Sequence, residues 1–399
     1  MKPSANGLLA QVSIVHLISH LHIMAVPAML PLLPAAMQVG FVELGVAIGV
    51  FNVVSAVVQA PLGFLVDRWG ARRMLMAALV LGAAAFALVA AVPTYPALLV
   101  AMAIAGLANG VYHPADYSLL SRGIAHERMG RAFSIHTFAG FLGGALAPPL
   151  MVGAALAWSP RWSFAIAALA GAIGFAVLLL GGREPVVQAS ASPRAAERPR
   201  TGSAMAPVAT LAVLTLLFTM LSLSTGAIER FSVSALVQGF DVSLGAANLA
   251  LTVFLFASAI GVLAGGVLAD RTARHGHVAA AAFAMAAMLV VGVIQVPLSA
   301  PVLAVAYGAI GFLSGIVAPS RDMLVRAASP AGAEGKTFGI VSTGFNVGGV
   351  IGPVLFGYLL DKGLASGVLW ASVCFMAITT AMVLFQERKE PIRPALVRR

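Results

Sequence analysis

The sequence predicts an all-α integral membrane protein, with twelve transmembrane helices arranged as two pseudo-symmetric six-helix bundles. Three observations lead there. Of 399 residues, 60% are hydrophobic and only 10% charged, with a mean hydropathy of +0.98, whereas a soluble domain carries roughly 25% charged residues. Apolar runs of about 20 residues, long enough to cross a bilayer, recur along the whole chain. Finally, Gly106, Gly110, Pro114, Leu119, Gly130, Phe133, Ile135, Gly143, Gly144 and Pro148 return unchanged 205 positions later, as Gly311, Gly315, Pro319, Leu324, Gly335, Phe338, Ile340, Gly348, Gly349 and Pro353.

Taken in order, the predicted spans are Leu8–Pro34, Glu43–Val66, Met74–Val92, Pro96–Ser121, Gly130–Ala157 and Trp162–Gly182. The second set is Val208–Leu236, Leu244–Ala269, Val278–Val296, Val302–Ala327, Lys336–Leu360 and Ala365–Gln386. Pro27, Pro31 and Pro34 should kink or end the first span at its outer end. Residues 183–207, rich in Ala, Pro, Ser and Arg and without apolar periodicity, read as a cytoplasmic linker. The expected units are therefore residues 1–182 and 208–386, followed by a charged cytoplasmic tail, 387–399. Met1–Gly7 lacks the basic cluster of a cleaved signal peptide.

Basic residues orient the spans. Twenty of the 24 lysines and arginines fall on the side of the N-terminus. Arg161 and Lys362 fall opposite, and Arg230 and Arg321 lie within spans. An even number of spans with this bias puts both termini in the cytoplasm. The net charge of +10 therefore reports topology and excludes a nucleic-acid partner. The lone cysteine, Cys374, offers no disulfide and no metal-site spacing, so neither metal nor cofactor is expected.

Between the second and third spans stands Gly63-Phe64-Leu65-Val66-Asp67-Arg68-Trp69-Gly70-Ala71-Arg72-Arg73, with a weaker copy at Gly266-Val267-Leu268-Ala269-Asp270-Arg271. This stretch resembles the signature of the major facilitator superfamily of secondary transporters, Gly-x-Leu-Ala-Asp-Arg-x-Gly-Arg-Lys. It matches at Gly63, Leu65, Asp67, Arg68, Gly70 and Arg72 and departs at Val66 and Ala71. The resemblance implies two rocking bundles around a central cavity lined by helices 1, 4, 7 and 10. It also implies a monomer and a conformational gate at Gly63, Asp67, Arg68, Gly70, Arg72, Arg73, Asp270 and Arg271. Within the superfamily, His16, Pro31-Leu32-Leu33-Pro34 and Gly110-Val111-Tyr112-His113-Pro114 resemble the fosmidomycin-resistance group, although His20 stands where that group has an aspartate. Gly140–Pro148 resembles a degraded antiporter signature, with Ala147 in place of a glycine.

An ionisable side chain at a span's centre costs at least ~2.5–3.5 kcal/mol, so those present are functional candidates. The set is His16, His20, His113, Asp116, Glu229, Arg230, Arg321 and Asp322, joined by Asn109 and Tyr117. His16 and His20 share a helix face while His22 points elsewhere. His113, Asp116 and Tyr117 form a stripe at i, i+3 and i+4, in which an imidazole beside a carboxylate can hold a proton near neutral pH. His22 and His136 are ionisable residues within spans too, but rate lower as candidates. Glu229–Arg230 and Arg321–Asp322 are adjacent in sequence and diverge by about 100° on a helix, so neither pair is expected to close an internal salt bridge. They read either as substrate and proton groups or as gate charges.

The function expected from this pattern is proton-coupled export of a small drug-like or anionic organic molecule across a bacterial inner membrane. With no Gly-x-x-x-x-Gly-Lys-Ser/Thr, an ion gradient would supply the energy. A proton symporter importing an organic acid and a transition-metal transporter are the alternatives on the same fold. A membrane enzyme would need a nucleophile–base pair or a closed metal cluster, and no spacing in the chain offers one.

Overall fold

The computed structural model describes residues 5–125, 128–181, 207–272, 274–330 and 334–389. Most of the expected linker and the end of the expected tail lie outside these residues. The elements are helices α1 (Ala5–Met29), α2 (Leu33–Met37), α3 (Phe41–Trp69), α4 (Ala71–Ala91), α5 (Tyr95–Gly123), α6 (Met129–Ala157) and α7 (Pro160–Leu180). The second half of the chain forms α8 (Val208–Gly226), α9 (Ser232–Gly239), α10 (Leu244–Arg271), α11 (His275–Gln295), α12 (Ala300–Ala328), α13 (Glu334–Asp361) and α14 (Ala365–Lys389). Among the described residues, twelve helical segments are long and apolar enough to cross a membrane. This is the all-α, twelve-span fold in two six-helix halves.

Helix ends obey local chemistry. Pro27 sits in the last turn of α1, which stops at Met29, and the outer prolines start the separate short helix α2. The seventh span departs from the single helix expected over Val208–Leu236. A π turn, Ala227–Phe231, separates α8 from α9 and carries both Glu229 and Arg230. Such a turn holds an extra residue and rotates the next helical segment relative to a continuous α-helix. The last helix continues to Lys389, and the Glu387 carboxylate accepts the Gly276 N–H at 2.6 Å, capping α11.

Contacts divide the chain into two units, Met1–Arg198 with Pro353–Asp361, and Pro199–Gly352 with Lys362–Arg399. In the first, α1 packs along α6, α3 along α5, and α4 between α5 and α7. Asp361 there accepts the backbone N–H groups of Phe41 and Val42, each at 2.8 Å, at the start of α3. In the second, α10 packs along α12, and α11 against α12 and α14.

The repeated glycines are explained by these seams. A β-carbon on Gly106 of α5 would lie 2.6 Å from the Phe51 carbonyl oxygen of α3. Its counterpart Gly311 of α12 meets the Phe254 carbonyl of α10 in the same way. On Gly143 of α6, a β-carbon would lie 2.7 Å from the Leu17 carbonyl carbon of α1. Without a hydrophobic driving force in lipid, close backbone approach of this kind holds helices together.

Gly70 is a glycine for another reason. Its φ of 94° and ψ of 133° form the joint between α3 and α4, with nothing close to where a β-carbon would sit.

Two substitution pairs test these roles by unfolding in mixed micelles. Gly143→Val should cost about 1–3 kcal/mol through overpacking, while Gly153→Ala, with open space around it, should be near neutral. Gly70→Ala should cost about 1–3 kcal/mol in backbone strain, and Gly226→Ala, also in open space but with φ of −62°, should not.

Candidate functional site

In the first unit, three helices converge on one carboxylate. Asp116 of α5 is fully buried, as are His16 of α1 and His136 of α6. Nδ1 of His16 lies 3.1 Å from Oδ2 of Asp116, and Nε2 of His136 lies 3.6 Å from the same oxygen. The His16 and His136 rings lie close, with centroids 3.8 Å apart and planes tilted by 30°. His20 and His113 complete the cluster at 4.7 and 5.4 Å from the His16 ring. Both are half-buried.

Local structure sets this geometry. The four-residue spacing of His16 and His20 stacks them on the face of α1 that meets α6, the two helices being drawn together at Gly143. One turn earlier on α6, Gly140 leaves room for both rings. A β-carbon there would lie 2.8 Å from Nε2 of His16 and 3.0 Å from Nε2 of His20. His22 turns to the opposite face and bonds the Ala167 carbonyl oxygen at 2.9 Å.

The cluster's hydrogen bonding is incomplete. Oδ1 of Asp116 and both ring nitrogens of His136 have no hydrogen-bond partner among the described residues. A buried carboxylate left without enough donors is costly as an anion. The arrangement therefore favours taking up a positive charge, as a proton or a cation.

Other sequence candidates stand apart from this cluster. Asn109 turns toward α3 and donates to Oγ of Ser55 at 2.7 Å. Tyr117 is exposed, with its ring 6.1 Å from those of His113 and His136. In the second unit, Glu229 and Arg230 are half-buried on the π turn. Arg321 and Asp322 correct the expectation from their helical divergence. The long guanidinium folds back and pairs with its neighbour, Nη2 and Nε lying 2.8 and 2.9 Å from Oδ1 of Asp322. Its planar group also lies 5.0 Å from the Phe218 ring centroid and 4.9 Å from that of Phe345.

The Gly63–Arg73 motif is mostly a surface feature. Asp67 meets Arg122 at 3.5 Å, both well exposed. Arg68 and Arg73 are exposed, whereas Arg72 reaches inward to Oε1 of Gln11 at 3.0 Å and to the Leu178 carbonyl oxygen. Arg271 is exposed, and the side chain of Asp270 lies outside the described residues.

The sequence matches the Major Facilitator Superfamily profile over residues 12–229 and again over 216–399. The chain belongs to that superfamily. It is a transporter of small molecules rather than an enzyme, and a multi-pass membrane protein. Among relatives, it is 27% identical over 278 residues to the fosmidomycin resistance protein of Escherichia coli (strain K12), covering 67% of this chain and 66% of that one. It is 26% identical to the MFS-type transporter YfnC of Bacillus subtilis (strain 168), over 88% of this chain and 85% of that one. The chloramphenicol resistance protein of Streptomyces lividans is 25% identical, with 84% and 86% covered. In fold, this superfamily member resembles a bacterial homologue of the human lysosomal transporter Spinster, with a TM-score of 0.80 at 14% identity over 99% of this chain and 100% of that one.

His136 rated lower in the sequence because it lies on the fifth span, not on the first, fourth, seventh or tenth. The available signal was the glycine four residues later, Gly140, one turn along the same face.

The Arg321 sandwich yields a measurable coupling. A double-mutant cycle of Arg321→Gln and Phe345→Leu should give about 0.5–2 kcal/mol of interaction energy. Additive effects would mean that the ring contributes nothing to holding the guanidinium.

Proposed function

We propose that the protein is a proton-coupled secondary transporter of a bacterial inner membrane, exporting a small drug-like or anionic organic molecule by alternating access. The observation that carries this reading is the buried carboxylate of Asp116 among the imidazoles of His16, His20, His113 and His136. Histidine is the side chain whose ordinary titration range spans physiological pH. An intramembrane carboxylate–histidine group is a common form of proton relay. Export is supported by the resistance proteins among the relatives.

In this reading the protein works as a monomer with both termini in the cytoplasm, and residues 183–207 link the halves. Arg321, held between two rings, and Arg230, whose Nε has no hydrogen-bond partner among the described residues, are the groups proposed to attract an anionic substrate. Asp67, Arg68 and Arg72, with the second copy at Asp270 and Arg271, act as the gate. A symporter importing an organic acid would use the same groups in the opposite sense.

Direction and coupling are read together in liposomes holding a pH-sensitive dye, with fosmidomycin, chloramphenicol, organic anions and cationic drugs added singly and divalent metals chelated. Substrate-dependent proton movement opposite to substrate is expected. Movement in the same direction would make the protein a symporter. Asp116→Asn should abolish substrate-driven proton movement and flatten the pH dependence of transport between about pH 5 and 8. A full pH profile in that variant would remove Asp116 from coupling. Asp67→Asn should slow turnover several-fold while leaving substrate binding intact, and unchanged turnover would count against a gate.

A further inference from the structure

We propose that His16, Asp116 and His136 form a binding site for a divalent first-row transition-metal cation of the Zn²⁺ or Co²⁺ kind. Each residue offers one donor atom, and the three donors lie within 4.8 Å of one another. Such ions take imidazole nitrogen and carboxylate oxygen at about 2.0–2.2 Å, so two ligands of a tetrahedral site stand about 3.3 Å apart. The His16 and His136 nitrogens stand 3.1 and 3.6 Å from the shared Asp116 oxygen, on either side of that spacing.

An independent observation points to a missing ligand. Asp116 and His136 are at least 99% buried, yet Oδ1 of the one and both nitrogens of the other have no hydrogen-bond partner among the described residues. A bound cation would take the one lone pair that a neutral His136 offers, together with a carboxylate oxygen, and would neutralise the buried Asp116. The His16 and His136 rings are tilted by 30° to one another, and each already presents a nitrogen toward Asp116. His20 or His113 is near enough to supply a fourth donor.

The donor chemistry narrows the ion. Two imidazoles with one carboxylate suit zinc, cobalt, nickel or copper, whereas calcium and magnesium take all-oxygen shells. The site needs neither an organic substrate nor a gradient, so it stands or falls separately from proton-coupled export. Metal and protons compete for the same atoms, so binding should weaken as pH falls.

The test uses full-length protein in detergent, purified without a histidine tag and titrated with Co²⁺. A parent variant with His126, His275 and His277 replaced by alanine removes histidines outside the cluster and His22, including His277, which lies 3.6 Å from Glu387. That parent should bind one Co²⁺ per chain, with the intense visible absorption of a tetrahedral ion, and Zn²⁺ should displace it. In the parent background, Asp116→Asn and His136→Gln, checked for monodispersity, should weaken binding by roughly tenfold or more. X-ray absorption of the zinc-loaded parent, which leaves the core untouched, should show at least two imidazoles. Loss of saturable binding in the parent, equal affinity in the core variants, or a shell of water without imidazole would each overturn the site. Proton flux measured with metals chelated reports on the transport reading alone.

Discussion

Hydrocarbon cannot solvate a carboxylate, and the interior of this bundle offers Asp116 little in its place. One oxygen lies within reach of two imidazoles, and the other has no hydrogen-bond donor among the described residues. The packing of the first unit surrounds that constraint. The backbones of α1 and α6 must meet at Gly143 for His16 and His136 to face the same oxygen. Gly140 must lack a side chain for the rings to fit. The charge state of one residue thus depends on two glycines that carry no chemistry themselves.

The spans, their order and the repeat were legible because each rests on local sequence. Hydropathy needs only a run of residues, and a constant offset between glycines needs only counting. The candidate site was legible in part. His16, His20, His113 and Asp116 showed themselves as ionisable residues in apolar runs, and the helical period put the histidines of α1 on one face. His136 rated lower because its partners come from two other helices, which hydropathy along α6 does not reveal. Asn109 was drawn in by its polarity, but its amide serves a contact between α3 and α5.

One misreading and one feature that was not foreseen have a common origin. An ideal straight helix was assumed where the chain departs from one. The seventh span contains a π turn, which no count of apolar residues reveals. Likewise, the 100° between Arg321 and Asp322 describes where their Cα–Cβ bonds point, but a guanidinium on a long flexible stem can still fold back to its neighbour. Periodicity predicts directions well and reach poorly.

Carrying the 205-residue repeat onto the site shows what has been done with one architecture. Position 140, an empty slot that admits two imidazoles, corresponds to Phe345, whose ring fills it and lies against Arg321. Asp116 corresponds to Arg321 itself, and His136 to Val341. The two halves repeat their seams while holding opposite charge at the matching place. Under the roles proposed above, the residue at one position of the repeat attracts a cation and its counterpart an anion. Whatever linkage exists between the two is reciprocal, since each ligand changes the other's affinity by the same factor.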